Sequence, residues 1–214
     1  MEINMHLDKY KLFRYDIFKW RHETKVIYKI GLAVGFALIT ALLAQVKFYL
    51  PGNALVPITG QTFAVLLAGV LLGKYGGISQ CIYVGFGAMG IPWFASVTGS
   101  TIGYLIGFII AAFFLGFITD RYIRSRSFMT MLPIMLFSLF VLIYVPGLIY
   151  LHFYTESLGV SLGFIGLLQV GLFPFIAGGI FKAVAAASIT KIITPKKAYG
   201  NEVDTSKMKN WNIP

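Results

Sequence analysis

Acidic residues are scarce in this chain. Eight Asp and Glu stand among 214 residues, against eighteen Lys and Arg, and none of the eight falls inside an apolar run. Without a carboxylate in a span, a proton-coupled pump or an intramembrane aspartyl catalyst lacks its working group. Histidine is sparser still. His6, His22 and His152 lie far apart, so no His-x-x-x-His or Cys/His spacing is available to a metal. The single cysteine, Cys81, excludes an intrachain disulfide and reads as a small core residue of an apolar run. No phosphate-binding loop is present, so any ATP dependence requires other subunits. Ser79, Ser138 and Ser188 sit in apolar segments without a neighbouring base and are read as bonding backbone. No catalytic residue, metal or cofactor is expected.

What the chain has in quantity is apolar sequence. Hydrophobic residues make up 57% and charged residues 12%, where a soluble average is about 25% charged, and mean hydropathy is +0.78. Several apolar runs of about 18 residues or more define an all-α integral membrane protein, multi-pass in the cell (plasma) membrane. The net charge of +10 suggests nucleic acid at first sight. Its lysines and arginines, however, cluster between the apolar runs and at the two ends, where positive-inside topology accounts for them. No nucleic-acid partner is expected.

Three regions follow. Residues 1–25 form a cytoplasmic basic segment too long and too charged for a signal-peptide n-region. Tyr10, Phe13, Ile17 and Trp20 recur at spacings of three and four, which predicts an amphipathic helix lying on the lipid headgroups, basic face toward anionic lipid. A disordered basic tail is the plainer alternative. Residues 26–193 form a six-transmembrane-helix bundle, with crossings expected near 26–46, 59–73, 75–90, 101–119, 128–151 and 174–193. Residues 194–214, with Lys196, Lys197, Lys207 and Lys209, read as a polar, disordered cytoplasmic tail. Both termini are then cytoplasmic, together with Lys74 and the Arg121, Arg124 and Arg126 cluster.

Within the bundle, Ala33, Ala37 and Ala41 recur every fourth residue beside Gly31, Gly35 and Ala44, a small-residue stripe that lets another helix approach closely. Residues 47–56, with Pro51, Gly52 and Asn53, read as a far-side loop. Residues 56–73 change character halfway, from the polar, turn-prone Pro57, Thr59, Gln61 and Thr62 to an apolar run from Phe63. A polar mouth on a short helix suits backbone lining a cavity. Pro146 and Gly147 predict a kink. Residues 163–193 number about 31, too many for one crossing of a core about 30 Å thick. An interfacial or re-entrant piece near 164–173 is expected before the last span.

Lys182 is the exceptional residue. Counted from Pro174 and from Lys191, its ammonium originates near mid-membrane, where such a group marks a binding site or pathway. Snorkelling, or bonding to carbonyls freed at Gly178 and Gly179, is the structural alternative. No acid in the same helix neutralises it, so a cavity around it would suit a carboxylate or another acceptor-rich solute. Trp93 and Phe94 on the next far-side loop fit an interfacial belt or a ligand clamp. Tyr104, one turn into the following helix, reaches toward the same place.

Four segments carry a resemblance: Val56-Pro-Ile-Thr-Gly-Gln-Thr-Phe-Ala-Val-Leu-Leu-Ala-Gly, Gly90-Ile-Pro-Trp-Phe-Ala, Gly103-Tyr-Leu-Ile-Gly-Phe and Pro174-Phe-Ile-Ala-Gly-Gly-Ile-Phe-Lys-Ala. In this order they resemble landmarks of the BioY family, the biotin-binding S components of energy-coupling-factor transporters. The resemblance implies a protein that captures biotin from outside and joins a transmembrane coupling subunit and two ATPase subunits. It assigns the Ala33, Ala37 and Ala41 face to the coupling subunit. Lys182 matches the lysine of the family's Asp-x-x-Lys pair, with Gly179 in place of the aspartate. The loop after Phe94 is about ten residues shorter than in the family, leaving Ser96 and Thr98 as its nearest polar groups. The implied contacts are Lys182 on the carboxylate or ureido oxygen, Gln61, Thr62, Ser96 and Tyr104 as neutral partners, and Trp93 and Phe94 as cover. Another small carboxylate or vitamin as ligand is the second reading, and a membrane-embedded enzyme or assembly protein the third.

Overall fold

Backbone amides in a bilayer must find partners within the chain, and the apolar runs accordingly fold as helices. The computed structural model describes residues 2–50, 53–97, 99–200 and 202–205. Helix α1 (Glu2–Glu23) precedes α2 (Val26–Gln45), and a two-stranded antiparallel hairpin follows, β1 (Lys47–Leu50) and β2 (Asn53–Thr59). Then come α3 (Gln61–Leu72), α4 (Lys74–Ala88), α5 (Ile102–Arg121), α6 (Phe128–Phe137), α7 (Tyr144–Ser157), α8 (Gly163–Gly171) and α9 (Ile176–Ile193). Pro51, Gly52, Thr98, Lys207 and Lys209 lie outside the described residues.

Among the described residues, four stretches are long and apolar enough to cross a membrane: Val26–Gln45, Ile102–Arg121, Phe128–Ser157 and Gly163–Ile193. Helix α3 is not one of them. Its 12 residues give about 18 Å of helix, short of a hydrocarbon core about 30 Å thick. The hairpin supplies what is missing. The segment after α2, expected as an irregular loop, pairs Lys47 with Thr59 and Phe48 with Ile58, so its backbone groups bond each other. Non-helical chain next to a span is tolerated on that condition.

Helix α5 is the central post, packed against α3, α4 and α7. Glycines set the spacing. A Cβ on Gly69 would come 2.7 Å from the Ala112 carbonyl oxygen, and one on Gly107 would come 2.6 Å from the Ile143 Cα, so these helices touch backbone to backbone. Gly73, at the α3–α4 turn, has φ +62, a conformation that favours glycine.

The predicted kink at Pro146 and Gly147 takes a different form. The distortion lies upstream, where residues Ser138–Ile143 form a π-helical segment between α6 and α7. Pro133 lies inside α6 and Pro146 in the first turn of α7. Pro146 has no N–H to donate and its ring crowds the carbonyl four residues earlier, so the helix widens there. As expected, the last apolar stretch is broken: α8 is short, Phe173–Phe175 forms a 3₁₀ turn, and α9 runs on alone.

The alanine stripe of α2 faces into the bundle. Ala33, Ala37 and Ala41 are at most 2% exposed, and α2 packs on α4 and α3. Their methyl groups are therefore covered by this chain. The small residues left open on α2 are Gly31 and Gly35, where an added Cβ would meet nothing within 4 Å.

Among the described residues, both ends pack against the bundle. Tyr10, Phe13, Ile17 and Trp20 are exposed along α1, as the amphipathic reading requires, while Phe18 and Arg21 are buried. Arg21, expected on a basic face toward lipid, turns inward instead. It ion-pairs with Asp120 and donates to the Leu71 carbonyl (3.1 Å) and the Tyr199 hydroxyl (3.0 Å). Residues 194–200 and 202–205 lie across the same surface. Arg126 donates to Glu202 (2.7 Å), with both side chains fully buried. The Asp204 carboxylate accepts from the Ile123 and Arg124 amides (2.9 and 3.0 Å). A segment that supplies, among the described residues, the carboxylate partner of a buried guanidinium is part of the fold.

Candidate functional site

The site is built on the corner where β2 becomes α3. Gly60 donates its amide to the Leu43 and Val46 carbonyls (3.1 Å each), and a Cβ there would come 2.9 Å from the Leu43 oxygen. The corner is thus held tightly against the end of α2. Thr59 Oγ1 donates to Gln61 Oε1 (2.8 Å), and Gln61 Nε2 donates to the Tyr83 hydroxyl on α4 (2.5 Å). From α9, Lys182 Nζ donates to the Thr59 carbonyl (2.5 Å) and to Thr62 Oγ1 (3.2 Å).

These groups face a cavity of about 360 Å³. Its floor is aromatic. Tyr104 donates its hydroxyl to the Gly171 carbonyl (2.8 Å) and stands edge-on to Tyr144, with ring centroids 5.8 Å apart. Phe94 packs on Tyr83 (5.9 Å) and Phe86 (5.1 Å). Trp93 is 65% exposed at the rim, and its carbonyl accepts from Gln45 Nε2 (3.1 Å). Its φ of +74 is rare for a bulky residue, and such conformations concentrate in ligand-handling loops.

All seven sequence-selected residues, Lys182, Gln61, Thr62, Trp93, Phe94, Ser96 and Tyr104, line this one cavity. Gly179 lies off it, buried, with an added Cβ 2.8 Å from Leu139 Cδ2. Lys182 reaches neither Gly178 nor Gly179 but crosses to another helix, so neither stands as its carbonyl partner. Tyr83, Tyr144, Gln45 and Ser100 also line the cavity and were missed. Their signal was present: a tyrosine or glutamine inside an apolar span needs a partner, and several such groups converge when they share one.

The chemistry follows from what is present. Lys182 and the amino-terminal end of α3, whose dipole is positive, converge on the same wall, an arrangement that favours an anionic group. Hydroxyl and amide groups from Gln61, Thr62, Tyr83 and Ser100 offer hydrogen bonds in both directions. Aromatic faces supply the remainder. Among the described residues, no carboxylate lines the cavity and no cluster could hold a metal ion.

A bundle of apolar helices around a solute-sized cavity, lined by an ammonium, hydroxyl and amide groups and aromatic rings, defines a membrane protein with a small-solute site. The comparisons narrow the class. The family model for the BioY family matches residues 17–198. A probable biotin transporter BioY of Methanothermobacter thermautotrophicus is 47% identical over 69% of this chain and 100% of its own length. The biotin transporter BioY of Thermotoga maritima is 36% identical over 63% of this chain and 78% of that one. A crystal structure of the S-component for biotin from an ECF-type ABC transporter superposes with TM-score 0.66 at 23% identity, covering 79% of this chain and 92% of that one, so the two share a fold. This chain belongs to the BioY family.

Proposed function

We propose that this protein is the substrate-capturing S component of an energy-coupling-factor importer and that it binds biotin from outside the cell. The single observation that carries the ligand class is the convergence of Lys182 and the α3 amino terminus on one cavity. Biotin combines an aliphatic carboxylate with a compact ureido ring. The carboxylate, or the ureido oxygen, meets Lys182. Gln61, Thr62, Ser96 and Tyr104 serve the polar edge of the ring system, and Trp93 and Phe94 close over it.

In this reading residues 26–193 form the membrane domain, crossing six times with both termini cytoplasmic, and α3 with its hairpin counts as one crossing. The cavity opens outward and the Arg126 surface faces the cytoplasm, in accord with the positive-inside rule. Transport depends on a transmembrane coupling subunit and two ATPase subunits, because this chain carries no phosphate-binding loop. The coupling subunit docks on the open face of α2 at Gly31 and Gly35, since the alanines beside them are already covered.

Isothermal titration of the purified chain with biotin tests the claim. Saturable heat at micromolar biotin supports it, and its absence sinks it. Gly179 favours a second reading, another small carboxylate or vitamin, because the family's aspartate is missing and its place is filled by Leu139. Growth of an auxotroph on each candidate ligand separates the two.

A further inference from the structure

A second cavity, of about 540 Å³, lies at the opposite end of the bundle, where α1, α2, α4 and α5 meet. Each of these helices contributes a cation: Arg21, Lys29, Lys74 and Arg121. Asp120 is the one carboxylate among the lining residues, and Arg21 occupies it. Lys29 and Lys74 pair with no carboxylate among the described residues. Lys29 Nζ donates to the His22 carbonyl (2.7 Å), and both ammonium groups flank the Tyr75 ring, at 5.9 and 5.6 Å from its centroid.

The other wall is apolar and open. Phe113 and Phe117 on α5 are 38% and 60% exposed. Phe113 lies eight residues before Arg121, about 12 Å deeper along the helix. The cavity therefore runs from a cationic interface down into hydrocarbon depth. A soluble phosphate has no use for that descent, and an acidic protein segment would bring further polar groups into it. An amphiphile with an anionic head uses both halves. The lipid-facing aromatic row of α1 ends beside the same opening, which keeps the headgroup layer at this level.

We propose that this cavity binds one anionic phospholipid of the cytoplasmic leaflet, its phosphate between Lys29 and Lys74 and its acyl chains along Phe113 and Phe117. The leaflet rests on the topology proposed above, whereas the binding itself does not. Native mass spectrometry of the full chain, titrated in detergent with phosphatidylglycerol or phosphatidylcholine, tests it. Wild type is expected to retain phosphatidylglycerol selectively, and the Lys29→Gln, Lys74→Gln double variant to lose about thirtyfold in that affinity. Phe117→Glu, at an exposed position the fold does not need, is expected to weaken retention without touching the lysines. Equal retention of the two lipids, or unchanged retention in both variants, overturns the proposal. Displacement of the lipid by inorganic phosphate overturns the assignment to lipid. Biotin titration on the same samples reads the other cavity, so failure of the transport reading and failure of this one are distinguishable.

Discussion

Lys182 and Thr59, 123 residues apart in the chain, are joined by a hydrogen bond of 2.5 Å from Nζ to the carbonyl oxygen. The bond ties the last helix to the corner where the hairpin becomes α3. It also fixes the ammonium in the cavity wall, with its stem held and its charge left for a ligand.

Lys182→Ala is expected to raise the biotin dissociation constant by about ten- to a hundredfold, the range for losing a hydrogen bond to a charged group. Titration calorimetry reads this directly. A biotin ester, which lacks the carboxylate, distinguishes the two poses. If Lys182 meets the carboxylate, the ester should bind wild type weakly and the variant no worse. Equal biotin affinity in wild type and variant would contradict the role.

Tyr104→Phe removes the hydroxyl that reaches Gly171 but keeps the ring against Tyr144. The buried Gly171 carbonyl then lacks that donor, so a loss of about 1–3 kcal/mol in stability is expected. Thermal unfolding in detergent measures it. A smaller effect on biotin binding is expected, because the aromatic surface remains.

Gly31→Leu and Gly35→Leu are expected to abolish co-purification with the coupling subunit while leaving biotin binding intact, since neither side chain meets anything within this chain. Ala33→Leu and Ala37→Leu should instead lower the melting temperature, because those positions are filled by α3 and α4. Complexes that survive the glycine substitutions would place docking elsewhere.

Glu202 makes the segment after α9 sensitive to acid. Burial pushes its carboxyl upward, but the Arg126 hydrogen bond and the amides of Tyr199 and Gly200 outweigh burial and hold it below the usual 4.5. A group depressed on folding stabilises fully above its unfolded value. That stability is lost as pH falls below about 4.5 and through the folded value. Hydrogen exchange of residues 194–205 should accelerate over that window. Glu202→Ala should show the faster exchange at neutral pH, with about 3–5 kcal/mol lost because Arg126 stays buried without its partner.

Much of this was legible in the sequence, for reasons that differ by residue. The long apolar helices followed from apolar length, and the polar groups placed where lipid would penalise them line one cavity. The hairpin was hidden because Pro51, Gly52 and Asn53 mark a turn without saying whether its arms pair. Ala33, Ala37 and Ala41 announced a close helix contact, and spacing alone could not say whose helix. The π-helical segment has no motif of its own; it lies just before Pro146, whose missing N–H and crowding ring act on the turn that precedes it. The order in the tail was missed because Lys196, Lys197, Lys207 and Lys209 dominate its composition, while Tyr199, Glu202 and Asp204 determine its packing.

Tyr199 lies against two guanidinium groups, Arg21 from the first helix at 5.5 Å and Arg126 at 4.3 Å from its ring centroid, and burial pushes its hydroxyl's pKa above the usual range. One aromatic ring thereby fastens α1 to the segment after α9. A ribosome releases α1 long before Tyr199 has been made, so Arg21 waits through the synthesis of the whole bundle for this contact. This contact is then among the late events of biogenesis, and a nascent chain stopped short of residue 199 holds Arg21 on Asp120 and the Leu71 carbonyl without the ring that covers it.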